Sequence, residues 1–135
     1  ATFRLRRGDD PTSSVEAGRA AQNEALRLAA DSALSYVEAA RLDLVEAAWA
    51  ARTGREAASL RSKARINAEK AIALDRQLAD ARLLAAEACL SIATAERSPA
   101  TITSGIAHVE QALRLNPQLL AARTVQAALR QLSAP

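Results

Sequence analysis

The chain has 135 residues, half of them apolar, and a formal net charge of +3, which suits one domain with a buried core. About a quarter is alanine and the only aromatics are Phe3, Tyr36 and Trp49, so packing must come from close helix approach and from Leu, Ile and Val. The scattered charge excludes a basic nucleic-acid tract, the lone Cys89 excludes an internal disulfide, and no apolar run reaches the roughly 18–20 residues that span a bilayer.

Residues 1–12 read as a linker or the end of a preceding element, because Gly8, Asp9, Asp10 and Pro11 break helix in succession. A helical domain over 13–135 follows. Ser13 or Ser14 is positioned to cap a first helix at 14–30, with Val15, Ala21, Ala25 and Leu28 at helical spacing. Asp31 and Ser32 restart the chain, and Leu34, Val37, Leu44, Val45, Ala48 and Trp49 carry a second helix to about Arg52, where Gly54 ends it. The third helix is predicted over 56–74 through Leu60, Ala64, Ala68, Ala71 and Ile72, and the fourth from about Leu78 to Ser98-Pro99. A fifth covers about 100–115 and closes at Asn116-Pro117, since the residue before proline is pushed out of the α region. The sixth takes 118–132. The β-branched run Thr101-Ile102-Thr103 has no partner strand elsewhere, so helix is the reading there too.

The segments repeat one another. Ala25-Leu26-Arg27-Leu28, Ala71-Ile72-Ala73-Leu74 and Ala112-Leu113-Arg114-Leu115 lie 46 and 41 residues apart. The same offsets align Gly18, Ala64 and Gly105, and also Ala40, Ala86 and Ala127, without gaps. Small residues in fixed register are what stacked helix pairs need where they cross. The expected architecture is all-α: a right-handed stack of antiparallel helix pairs, about six helices, in units of about 13–52, 55–96 and 98–133.

Ala112-Leu113-Arg114-Leu115-Asn116-Pro117 and Ala71-Ile72-Ala73-Leu74-Asp75-Arg76 resemble the stretch that closes the second helix of a tetratricopeptide repeat. The spacing departs from that family's roughly 34 residues. Twelve extra residues shared by two helices would lengthen each by about 9 Å and carry Trp49 and Leu60 towards the tip of a hairpin around Gly54. Long units of this kind resemble the C-terminal regions of some bacterial Ser/Thr protein kinases. The absence of any methionine fits a piece of a longer protein, and the excess of Arg over Lys fits a GC-rich bacterial genome.

The resemblance implies a protein-protein interaction module whose first helices line a concave face. It picks out Leu34, Val37, Arg41 and Leu44 on one helix, Asp80, Leu83, Glu87 and Leu90 on the next, and Ala121, Thr124, Ala128 and Gln131 on the third. The Lys and Asn clamp with which some members hold a C-terminal carboxylate is missing, with Val37, Leu83 and Thr124 in its place. Trp49 is a further contact candidate. The alternative is an oligomerisation domain, a homodimer paired through Leu129 and Leu132 of the last helix. No catalytic, cofactor or metal site is expected: His108 has no ligand cluster around it, Cys89 reads as a small buried apolar residue, and no phosphate-binding glycine loop appears. The expected setting is cytoplasmic, with a protein or peptide partner and neither nucleic acid nor membrane.

Overall fold

A computed structural model describes residues 10–28 and 32–134, with Ala25–Leu28 described as backbone only. The described chain is helical, with no strand: α1 (Thr12–Leu28), α2 (Ala33–Arg52), α3 (Ala58–Leu74), α4 (Ala79–Glu96), α5 (Pro99–Leu115) and α6 (Leu120–Ser133). Residues 1–9, Asp31 and the side chains of the Ala25–Leu28 motif lie outside the described residues.

The helix ends follow local chemistry. α1 begins earlier than the serines suggested, because Asp10 and not Ser13 or Ser14 supplies the cap: its carboxylate accepts from the Thr12 amide at 2.8 Å. A bond from the Thr12 hydroxyl, and after it this amide bond, hold the Asp10 carboxyl below its ordinary pKa of 3.8. The helical domain therefore starts at Thr12. Ser32 and Ser98 cap α2 and α5 through their hydroxyls, and Pro99 occupies the first turn of α5, where no amide bond is lost. Thr53 ends α2 by bonding back to the Trp49 and Ala50 carbonyls, and Gly54 follows with φ +73°, a conformation that side chains disfavour.

The Ala112–Pro117 closing motif and its Ala71–Arg76 counterpart, which lacks only the proline, fold into the same turn. Asp75 and Asn116 have φ/ψ of −146°/100° and −144°/92°, and their amides bond to the Ala71 and Ala112 carbonyls at 2.9 Å. Each side chain then accepts from the amide two residues on, Gln77 at 3.0 Å and Gln118 at 3.1 Å.

Packing repeats as the turns do. One core joins α2, α3 and α4 through Val37, Ala40, Ala68, Ala71, Ala81, Leu84 and Ala85, and a second joins α4, α5 and α6 through Ala86, Val109, Ala112, Ala122, Val125 and Leu129. At the 41- and 46-residue offsets Ala40 corresponds to Ala86, Ala68 to Val109, Ala71 to Ala112, Ala81 to Ala122 and Leu84 to Val125. The most extensive contacts join α2 to α3 and α4 to α5; α2 also touches α4, α4 touches α6, and among the described residues α1 touches α2 alone. Gly18, Ala64 and Gly105 are all buried, and a Cβ on Gly105 would lie 3.0 Å from the Cys89 Cβ and 3.1 Å from both Leu129 methyls. A side chain there would need Cys89 or Leu129 to give way by a few tenths of an ångström.

Candidate binding surfaces

Side chains seven residues apart on an α-helix share one face. On α2 this gives Leu34, Arg41 and Ala48, all exposed, and on α4 Asp80, Glu87 and Thr94 in the same repeat register. The two helices touch; Arg41 holds a 2.5 Å ion pair with Glu38 on its own helix, and its charge also acts on the Glu87 carboxylate of α4. Glu87 is half-buried, and loss of water raises its pKa above 4.5; Arg41 works against that shift and Asp80 adds to it. On α6, Ala121, Thr124 and Gln131 are exposed and Ala128 half-buried.

The other residues picked from sequence on this face sit deeper. Val37 is 2% exposed and belongs to the first core, so it is corrected from surface to interior. Leu44 packs against that core, and Leu83 and Leu90 against the second, each half-buried. Leu34, in contrast, is 63% exposed. The physical reason is the stripe itself: residues at i and i+3 straddle it, and the inner one meets the next helix.

Trp49 stands one turn before the end of α2. It is half-buried, lines a small cleft of about 70 Å³ with Pro11, Val15 and Arg55, and carries the Arg52 guanidinium 5.5 Å from its ring centroid. The hairpin tip behind it is packed by Ala47, Ala50, Ala57 and Leu60. Leu129, expected at an exposed dimer face, is fully buried because α6 lays it against Val109 and Gly105; Leu132 is half-buried, and the exposed leucine of α6 is Leu120 at 75%.

A second concavity was not foreseen. α1 and α3 both lie against α2, among the described residues without touching each other, and between them opens a cleft of about 280 Å³. Its walls are helical stripes: Arg19, Gln22 and Asn23 from α1, Ala39 and Asp43 from α2, and Lys63, Ile66, Asn67 and Lys70 from α3. Asp43 is 1% exposed, accepting from Arg19 Nη2 at 2.7 Å and from Asn67 Nδ2 at 2.8 Å. Arg19 also bonds Glu46 through Nε at 3.1 Å, and Gln22 donates to the Ser35 carbonyl. The sequence signal was an aspartate inside the apolar run Leu42 to Val45, at the position where the next unit has Cys89.

In that next unit Cys89 is fully buried and its thiol pKa is pushed up by burial, so it behaves as a small apolar residue. His108 is half-buried, with Nδ1 enclosed and lacking a protein partner; burial, and then Arg82, hold its pKa below 6.5. Among the described residues no group of three His, Cys, Asp or Glu could hold a metal ion, and no described helix is long and apolar enough to cross a membrane. Comparison of the chain with family models, curated proteins and solved structures finds no match.

Proposed function

We propose that the chain is a tetratricopeptide-like helical stack that binds a peptide or helix of a partner protein on the face formed by α2, α4 and α6. The observation that carries this reading is the recurrence of one core in two registers, with α4 shared between them and α2, α4 and α6 in contact in that order. Such an arrangement grows along one axis and leaves a broad rigid face, whose ordering entropy has already been met in folding. The face combines exposed Leu34 with the ionic group Arg41, Asp80 and Glu87, an anchor beside charges that set register. Within this reading, the 46- and 41-residue units make a bacterial signalling protein, such as a Ser/Thr protein kinase, the parent to look for first.

Panning a random-peptide display library on the folded chain tests it. Selected peptides should bind with at least about tenfold lower affinity to a Leu34→Asp/Arg41→Glu variant, since both side chains are exposed and the fold should survive their change. Peptides that bind the variant as well as the parent would remove this face from consideration. A second reading, self-association through α6, is favoured by Leu120 and by Ala127, which is exposed although its counterparts Ala40 and Ala86 are fully buried. Sedimentation equilibrium decides it: a dimer abolished by Leu120→Glu supports pairing, and a monomer at high concentration rejects it.

A further inference from the structure

We infer that the cleft between α1 and α3 binds a small organic anion, with its phosphate or carboxylate head at Lys63 and Lys70 and its apolar part on Ile66. The three residues fall at i, i+3 and i+7 on one face of α3, so the two ammonium groups flank an exposed isoleucine within about two helical turns. Among the described residues Lys63 forms no ion pair and Lys70 meets only the Tyr36 ring, 5.6 Å from its centroid. Arg19 is shared between Asp43 and Glu46, so that group keeps one negative charge, and the two lysines outweigh it and leave this side net positive. The wall is also built in advance: the buried carboxylate holds both Arg19 and Asn67, so ligand binding need not order them.

The repeat supplies an internal control. Were this chemistry a by-product of the scaffold, the next unit would carry it as well. There the positions of Asp43, Lys63, Ile66, Asn67 and Lys70 are held by Cys89, Ser104, Ala107, His108 and Gln111, and of the charged residues only Arg19 is matched, by Arg65. Cys89 is fully buried at that place, so the fold accepts an apolar residue where the first unit keeps a costly buried charge. The cleft volume of about 280 Å³ falls just below the roughly 300 Å³ at which drug-sized sites begin, which suits a small ligand, and this face is separate from the one formed by α2, α4 and α6.

Titration of the folded chain with phenyl phosphate, followed by amide chemical shifts, tests the assignment, with neutral benzyl alcohol as control. The expected result is saturable shifts confined to residues 19–23 and 63–70, and affinity lowered at least about tenfold in Lys63→Gln/Lys70→Gln. Both lysines are exposed, so the variant should melt with the parent. The assignment is overturned by absence of saturation up to about 10 mM, by unchanged affinity in the double variant, or by equal binding of benzyl alcohol.

Discussion

At the scale of single residues, Asp43 ties three helices together: it lies on α2 and accepts from Arg19 on α1 and Asn67 on α3. Removing its carboxylate by Asp43→Ala takes one of two carboxylate partners from Arg19, which keeps Glu46, and the partner of the part-buried Asn67 amide. Urea unfolding should report a loss of about 2–3 kcal/mol, less than for a fully buried ion pair because Arg19 keeps 32% of its side-chain surface in water. A loss below about 0.5 kcal/mol would mean that water replaces the carboxylate. His108 adds a pH dependence whose sign follows from its enclosure. The unfolded imidazole takes up a proton as pH falls through 6.5, while the folded one resists it, being desolvated and faced by Arg82 and Arg65 with Glu69 giving partial relief. Stability from the neutral form is therefore present above 6.5 and lost as pH falls from 6.5 to the lower folded pKa. Urea midpoints taken at about pH 7.5 and 5.5 should fall between the two in the parent and fall less in His108→Gln.

At the scale of elements, the shared turn makes a substitution predictable from the chain's own repeat. Pro117 follows Asn116 in one copy and Arg76 follows Asp75 in the other, with the preceding residue extended in both, as proline requires. Arg76→Pro should therefore stabilise the chain by about 0.4–1 kcal/mol by narrowing the unfolded ensemble, read as a higher urea midpoint at unchanged slope. A lower midpoint would show that the two turns differ in the conformation of this residue. The helices were legible because their ends are marked by residues with local mechanisms: Ser32, Ser98-Pro99, Asp75 and Asn116 act within two or three residues of themselves. The start of α1 was displaced because Asp10 and two serines all qualify as caps, and which one is used depends on Pro11 being buried beside Trp49. The small-residue columns were legible too, but their burial was not uniform, and Ala127 is exposed. The cleft escaped because its residues come from three helices, and periodicity says which residues share one helix face but not which faces meet across a gap. Val37 and Leu129 were misplaced for the same reason: each sits on a stripe whose neighbour only the tertiary fold supplies.

At the scale of the whole molecule, stability should be graded from helix to helix. α4 touches α2, α3, α5 and α6 and contributes to both cores, whereas among the described residues α1 rests on α2 alone. Among the described side chains of α1, Val15 and Gly18 are the buried apolar ones, and polar contacts stand beside them: Gln22 on the Ser35 carbonyl and Arg19 on Asp43 and Glu46. A helix held by few apolar contacts opens before the global transition, so α1 amides should exchange with a smaller free energy and a shallower denaturant dependence than those of α4. The ionic part predicts a second signature. Raising salt from about 0.05 to 0.5 M shortens the screening length from beyond 10 Å to below 5 Å and weakens the part-exposed Arg19–Glu46 contact, while the apolar cores feel little. Exchange in α1 should then accelerate with salt while exchange in α4 holds or slows. One common free energy and one denaturant slope for all helices would instead make the chain a single cooperative unit, with α1 as firmly fixed as the centre. That outcome would bear on the cleft directly, because its α1 wall would then be permanent and anion binding could not depend on α1 staying docked.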